Sequence, residues 1–312
     1  MTAMTHPGRL GGLRAMLGDP KRQMRIVIAL IVFTVIYATF YNDIRQAPGI
    51  RVIFENLPLP STNVLIIMCY YAILALGLNI VVGFAGLLDL GYVAFYVFGA
   101  YTTAFLASPL HGLHVPWWIV VWVAVGVAAL AGVLLGAPTL RLRGDYLAIV
   151  TLGFGEILPV MARNLDAVTG GTIGVNPIDP PILPIPGPWG DRLEFSNGEP
   201  VASFYLILVL LLIVFGICVR LRDSRLGRAW MAIREDETAA ASMGIDTVST
   251  KLLAFGLGAS FSGFTGAFFG AYSTAIFPAS FNFSVSISIL IMIILGGMGS
   301  LRGVVLGAFA IR

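Results

Sequence analysis

Charged residues are scarce in this sequence, since Asp, Glu, Lys and Arg together make up only 11% of its 312 residues. A soluble domain usually has about a quarter of its residues charged. Hydrophobic residues account for 58% of the chain, and the mean hydropathy is +0.91. This balance excludes an ordinary water-soluble globular domain and indicates a protein whose main solvent is lipid.

Cysteine and histidine are also rare, with two and three copies. Cys69 and Cys218 fall inside apolar runs, where they behave as small hydrophobic residues, so no disulfide framework is expected. His6, His111 and His114 have no accompanying metal-ligand pattern, and we expect no metal site. No set of nucleophile, base and orienting partner is recognisable, so we expect no catalytic residue and no enzyme activity in this chain.

The basic residues do not form a patch. A formal net charge of +3 and a pI of about 9.0 would suit a nucleic-acid-binding protein, but the Lys and Arg residues are dispersed among the ends of apolar segments. This placement is typical of membrane proteins, whose cytoplasmic loops carry an excess of positive charge. We therefore expect no nucleic-acid partner.

Long apolar runs are abundant, and they predict transmembrane helices. In lipid the backbone must satisfy its own hydrogen bonds, and runs of this length favour helices over barrel strands of roughly ten residues. We predict an all-α polytopic bundle of about eight to ten transmembrane segments. The predicted spans cover residues 26–41, 64–107, 117–135, 146–162, 204–219, 252–276 and 284–295, with a last run that stops at Arg312.

The run 64–107 is too long for one span and must fold back once. The break is predicted near Gly83, Gly86, Asp89 and Gly91, because glycine permits tight backbone geometry and a carboxylate is costly in hydrocarbon. Two spans, or one span and a re-entrant element, both fit.

Loop composition predicts the orientation of the chain. Residues 1–25 form a basic tail that we place in the cytoplasm, ahead of a transmembrane domain covering residues 26–312. The segment 163–203 is rich in proline and in acidic residues, which predicts an irregular external loop. The connection after residue 219 is the most basic of the chain and is predicted to be cytoplasmic.

Within that connection, residues 224–246 mix strong helix formers with charges of both signs. Ala229, Ile233 and Ala240 are predicted to share one face, and Gly244 to stop the helix. An exposed helix with one apolar stripe suits docking into the groove of another protein. An ordinary solvated loop that obeys the charge rule is the alternative.

The segment 227–245 resembles the coupling loop of the permease subunits of high-affinity branched-chain amino acid ABC transporters. ABC importers generally carry a Glu-Ala-Ala, three residues, Gly pattern in this loop; here Thr238 precedes Ala239 and Ala240, Gly244 follows three residues later, and the acid is displaced to Glu237. The stretches 77–87, 140–152, 165–172 and 295–301 are similar to the same family, so the resemblance covers the chain from about residue 65 to its end. The resemblance implies ATPase-coupling residues at Arg228, Ile233, Arg234, Glu235, Asp236, Glu237, Ala239, Ala240 and Gly244.

The resemblance also implies the rest of an importer in a bacterial cytoplasmic (inner) membrane. This chain would be the larger, M-type permease, accompanied by a second homologous permease, two cytoplasmic ATP-binding subunits and an external solute-binding protein. The chain has no Gly-x-x-x-x-Gly-Lys-Ser/Thr phosphate loop, so we expect ATP and Mg²⁺ in the partner subunits and no cofactor here. The implied substrate is a branched-chain or other neutral amino acid. Urea or short amides, or an ion-driven secondary amino acid transporter, are the alternatives.

Two acidic residues are candidates for the translocation pathway. Asp89 and Glu156 are the acids most deeply placed in apolar surroundings, and such residues usually face a cavity or a partner rather than lipid. Asp89 could instead cap a helix, and Glu156 could be bonded within the bundle. The full set of candidate pathway residues is Gly83, Gly86, Asp89, Tyr146, Thr151, Glu156, Thr169, Gly170, Gly171 and Thr172.

Small residues form two further patterns. Gly256, Ser260, Gly263, Gly266 and Gly270 follow three- and four-residue spacing, which predicts close helix packing, at a contact between subunits rather than at a substrate site. The glycines between residues 83 and 91 are echoed between residues 296 and 303. An internal duplication or ordinary glycine-rich helix ends would each explain the echo.

Overall fold

The computed structural model describes residues 35, 37–39, 60–109, 112–139, 145–183 and 193–311. The chain divides after Ser61 into two compact units, and the fold below is that of the second, Thr62–Arg312. The predicted basic tail 1–25 and nearly all of the predicted span 26–41 lie outside the described residues.

The second unit is built of helices, most of them joined by short connections, with one long connection between residues 174 and 199. In chain order the helices are α1 (Thr62–Asn79), continued by a π-helical turn (Ile80–Phe84), α2 (Val93–Leu106), α3 (Trp117–Thr139), α4 (Asp145–Asn164), α5 (Asp166–Thr169), α6 (Pro200–Asp223), α7 (Arg225–Glu235), α8 (Glu237–Ser242), α9 (Thr247–Ser273), α10 (Phe283–Gly296) and α11 (Leu301–Ile311). Gly171–Ile173 and Pro278–Ser280 form 3₁₀ turns. Two-residue strands, β1 (Ile182–Leu183) and β2 (Leu193–Glu194), pair in antiparallel fashion.

Six segments of the described chain are long and apolar enough to cross a membrane, and the prediction of an all-α polytopic bundle is confirmed. They are Thr62–Phe84, Trp117–Thr139, Tyr146–Asn164, Pro200–Asp223, Thr247–Ser273 and Pro278–Gly296. The apolar helices α2 and α11 are shorter, with 14 and 11 residues. The run 64–107 therefore consists of one full-length helix and one shorter helix, separated by a break between Phe84 and Val93.

α1 forms the centre of the bundle. Its apolar residues lie on all sides rather than in a stripe, as expected of a helix surrounded by other helices, and nearly all of them are buried. α6, α9 and α11 pack around it. No charged residue occurs in its sequence, so a position enclosed by protein costs no desolvation of charge.

α9 packs against α2 and α3 through the stripe of small residues, and this corrects the predicted contact between subunits. A Cβ at Gly263 would lie 2.3 Å from the Cβ of Ala128 in α3, and one at Gly266 would lie 2.4 Å from the carbonyl oxygen of Tyr96 in α2. The predicted close packing is observed, but the helices that pack against the small residues belong to the same chain. Spacing along one helix does not tell which surface the small residues meet.

Two predicted boundaries also need correction. The span 252–276 ends at Ser273, because Thr274 adopts a left-handed conformation (φ 54°) that stops α9. The predicted loop 163–203 is shorter, since α6 already begins at Pro200, where proline suits the first helical turn. Part of this loop is ordered by pairing: Val175 and Ile276 exchange two backbone hydrogen bonds of 3.0 Å.

Candidate coupling and translocation site

α7 and α8 form a capped helix pair. The Ser224 side chain accepts a hydrogen bond from the Gly227 amide (3.2 Å) at the start of α7. Asp236 ends α7 and starts α8, where its carboxylate accepts from the amides of Thr238 and Ala239 at 2.8 and 2.9 Å. Side-chain caps of this kind satisfy amides that a helix start otherwise leaves unpaired. The segment is therefore a pair of helices rather than an irregular loop.

The inner face of the pair rests on the membrane bundle. Ile233 and Ala240 are buried there, while Ala229 is only half-buried. The predicted apolar stripe therefore packs largely against the bundle of this chain, which corrects the expectation that it docks into another protein. The largest buried side chain of the segment is Trp230, whose Nε1 donates to the Thr250 carbonyl oxygen (2.7 Å) in α9. Sequence reasoning missed Trp230, although its position three residues before Ile233 is the spacing of one helical face.

An ion pair joins α8 to α9. Lys251 Nζ lies 2.5 Å from Glu237 Oε1, with the lysine side chain largely buried and the carboxylate partly exposed. At the start of α9, Asp246 accepts hydrogen bonds from the hydroxyl and amide of Ser249 and from the amide of Val248, and these bonds lower the pKa of the Asp246 carboxyl. The helix pair is thus held to α9 by the Trp230 hydrogen bond and by the Glu237–Lys251 ion pair.

The outer face of the pair is open. Arg228, Glu235 and Ala239 are exposed, and Met243 is 84% exposed. Gly244 has a positive φ (83°) with no atom near the position of an added Cβ, as expected for a glycine that ends a helix. Of the predicted coupling residues, Ile233 and Ala240 face the bundle and Glu237 is half-buried. Arg234 is exposed, but its guanidinium reaches the bundle. The other five lie on the exposed outer surface: Arg228, Glu235, Asp236, Ala239 and Gly244.

Arg234 connects this pair to the break after α1. Its Nη1 donates to the Gly83 carbonyl oxygen (2.5 Å) in the π-helical turn. A Cβ at Gly86, which has φ 69°, would lie 2.8 Å from Arg234 Cγ. The structure therefore places Gly83 and Gly86, which were predicted as pathway residues, in contact with the α7–α8 pair.

Asp89 and Thr151 come together next to the start of α2. Asp89 is 2% exposed, and its Oδ1 accepts from the Gly91 amide (2.9 Å), while its Oδ2 has no hydrogen-bond partner among the described residues. Thr151 Oγ1 accepts from the Leu90 amide (3.1 Å), which ties the break to α4. The predicted helix cap is wrong in detail, because the residue before α2 is Tyr92 and Asp89 closes a turn instead.

Glu156 lies on the side of α4 that faces away from the bundle. It is exposed, and within the described ranges it makes no hydrogen bond or ion pair, so the alternative of a carboxylate bonded inside the bundle is wrong. Tyr146 is 72% exposed on the same helix. Around Glu156 runs a shallow groove lined by Ile157, Val160, Met161, Asn164 and Leu165.

The four residues Thr169 to Thr172 connect the end of α5 to the following 3₁₀ turn. Thr169 is buried, and its hydroxyl donates to the Ala162 carbonyl oxygen (2.5 Å). Gly170 and Gly171 both have positive φ (69° and 57°), which glycine adopts without strain. Thr172 is exposed. The Thr172 hydroxyl is thus exposed near the C-terminal end of α4, whereas Tyr146 lies at the N-terminal end.

These features define a multi-pass α-helical membrane protein with a capped helix pair outside its bundle. The family described as "Branched-chain amino acid transport system / permease component" matches residues 61–312, and the chain belongs to this family. The resemblance predicted from the motifs is confirmed.

Two relatives illustrate the similarity. The high-affinity branched-chain amino acid transport system permease protein LivM of Escherichia coli (strain K12) is 45% identical over 253 residues, which cover 76% of this chain and 59% of LivM. The corresponding permease protein LivH of the same organism is 25% identical over 246 residues, covering 76% of this chain and 78% of LivH. The chain is thus similar to both, and more so to LivM.

The chain spans about three fifths of the length of the LivM proteins that it matches. A third relative, the probable branched-chain amino acid transport permease protein LivM of Methanocaldococcus jannaschii, is 24% identical over 68% of this chain and 59% of its own length. No solved structure matches the chain.

Proposed function

We propose that this chain is the M-type permease subunit of an ATP-driven importer for branched-chain amino acids. The observation that carries the proposal is the α7–α8 pair, which is fixed to α9 on one side and open on the other. A pair of this kind offers a surface on which a neighbouring protein can push. Two ATP-binding subunits, which would hold ATP and Mg²⁺, are the neighbours that the family relationship supports.

The side of the membrane follows from charge. Arg220 and Arg222 lie in the last turn of α6, directly before the α7–α8 pair. An excess of arginine at helix ends marks the cytoplasmic side. We therefore place the pair in the cytoplasm of a bacterium, the bundle in the inner membrane and the N-terminus on the cytoplasmic side.

A second permease is proposed to cover the outward face of α4. An acid surrounded by apolar groups is costly against lipid, so Glu156 is expected to face protein or a water-filled route. Similarity to both LivM and LivH supports two related permeases in one transporter. The route for the amino acid then runs along this face, with Tyr146 and Glu156 beside it and the exposed Thr172 near one end.

The substrate is proposed from the family and from the relatives, whose names specify branched-chain amino acids. An external solute-binding protein would select and deliver it. If the substrate were urea or a short amide instead, we expect the binding protein to differ more than the α7–α8 pair.

Uptake into vesicles tests the proposal. The complex of this chain with its partner permease and ATP-binding subunits, reconstituted in lipid vesicles with the binding protein, is expected to accumulate radiolabelled leucine when ATP is on the α7–α8 side. A proton or sodium gradient without ATP should give no uptake. Accumulation driven by an ion gradient alone would refute the proposal and support a secondary transporter.

A further inference from the structure

Arg234 differs from the neighbouring arginines because its side chain reaches a distant element. Arg222 Nε binds the Asp223 carboxylate (2.9 Å), and Arg228 Nη1 binds the Asp223 carbonyl oxygen (2.8 Å), so both bonds stay within one connection. Arg234 instead bonds to Gly83, 151 positions away. Of these three arginines, only Arg234 joins the α7–α8 pair to the break between α1 and α2.

The contact suits the chemistry at the end of α1. The last carbonyl groups of a helix have no partner within the helix and carry partial negative charge. A guanidinium that donates to the Gly83 carbonyl oxygen satisfies one such group and interacts favourably with the end of the helix. Gly86 leaves room for the arginine stem, since a Cβ there would lie 2.8 Å from Arg234 Cγ.

A second break meets the same guanidinium. Gly299, between α10 and α11, has φ 87°, and a Cβ on it would lie 3.3 Å from Arg234 Nη1 and 3.4 Å from the Gly83 carbonyl oxygen. The Gly299 amide donates to Asn79 Oδ1 (2.9 Å) at the end of α1. The two glycine clusters that echo each other in the sequence are therefore adjacent in space, with Arg234 against both.

We propose that Arg234 is a positioning residue that transmits displacement of the α7–α8 pair to both glycine breaks at once. Because the breaks connect α1 to α2 and α10 to α11, a push on the pair would reorient these two connections together. The inference rests on the proposed function, since it needs a neighbour that moves the pair. The planar guanidinium suits this role better than a lysine ammonium, which keeps the charge but holds a less fixed geometry against two backbone segments.

The test compares Arg234→Met and Arg234→Lys with Arg222→Met in the reconstituted complex. Arg222→Met is the matched control, since it removes one nearby arginine that, among the described residues, bonds to its neighbour Asp223. We expect all three complexes to assemble, and the stimulation of each is measured relative to its own basal ATPase activity. Stimulation of that activity by leucine-loaded binding protein should fall about tenfold in Arg234→Met, less in Arg234→Lys, and not at all in the control.

Three outcomes would overturn the inference. The first is normal stimulation in Arg234→Met. The second is an equal fall of basal and stimulated activity in the Arg234 variants. The third is failure of both Arg234 variants to assemble while the control assembles. Either of these two results would mean that Arg234 only supports the structure. Failure of the proposed function looks different, because the unmodified complex would then show no ATP-dependent uptake, and the inference would fall with it.

Discussion

The helices α3 and α4 each turn one side away from the bundle, and both expose large side chains there. On α3 these are apolar throughout, with Trp122 72% exposed and Leu130 60%. On α4 the apolar side chains, such as Ile157, surround Glu156. Exposed apolar area alone does not distinguish the two faces. The Glu156 carboxylate does distinguish them, because the apolar face of α3 can lie against lipid, whereas the charged face of α4 is costly there.

The largest effect is expected when a carboxylate is added to each face. Leu130→Glu puts an uncompensated charge against lipid, at a cost of about 3 kcal/mol near the helix centre. The amount of full-length protein in the membrane should fall several-fold. Ile157→Glu, beside Glu156, should leave the amount unchanged and reduce leucine uptake. Immunoblotting of membranes together with uptake measures both, and equal losses of protein in the two variants would remove the distinction between the faces.

A smaller difference is expected between alanine substitutions on the inner and outer sides of α3, and it concerns protein stability. A Cβ at Gly132 would lie 2.5 Å from the Cβ of Ala259, whereas one at Gly126 meets no atom within 4 Å. Gly132→Ala should destabilise the protein by about 1–3 kcal/mol through overpacking. Gly126→Ala should be neutral or slightly stabilising. Thermal unfolding in detergent compares the two, and a Gly126→Ala loss as large as that of Gly132→Ala would show that the outer side is packed against something.

Removing the charge from the α4 face is predicted to affect transport but not folding. Glu156→Gln keeps the shape of the side chain, so the protein level should stay constant while leucine uptake falls about tenfold, as for the loss of one charged hydrogen bond. Glu194→Gln in the exposed strand β2 is the control and should transport normally. Normal uptake by Glu156→Gln would remove this residue from the proposed route.

The smallest expected effect concerns a glycine on each outward face. Among the described residues, no atom lies within 4 Å of a Cβ added at Gly153 in α4, and the same holds for Gly126 in α3. If a second permease covers α4, Gly153→Ala should weaken its co-purification about twofold to fivefold, as expected for one methyl group at a packed contact. Gly126→Ala should have no effect. Equal recovery of the partner in both variants would argue against α4 as the subunit contact.

The bundle was largely predictable from the sequence, because each long helix is an apolar run bounded by charges, glycine or proline. The ends of the helices were less so. Thr274 ends α9 through a backbone conformation, and Pro200 starts α6 inside a stretch of turn-forming residues. Neither changes the hydropathy enough to mark a boundary.

The site was predictable in its parts but not in their assembly. The pattern of residues 224–246 indicated one helix that stops at Gly244, whereas the structure has two, α7 and α8, separated at Asp236. Trp230 became the anchor of α7 only because α9 passes alongside. Asp89 and Glu156 had similar surroundings in sequence, but one is buried in a turn and the other points outward. Which face of a helix meets which neighbour depends on tertiary packing, and a single sequence contains no direct record of that.

The bridge between Val175 and Ile276 links the predicted external loop to the end of α9. The 27 residues of this helix form a rod about 40 Å long. Lys251 and its partner Glu237 lie near one tip, and Thr274, which accepts a hydrogen bond from the Ile178 amide, lies at the other. A tilt of about 5° around the middle of such a lever displaces each tip by roughly 2 Å. A force applied to α9 near Lys251 would therefore also displace residues 175–178, which are bonded to the other end of this helix.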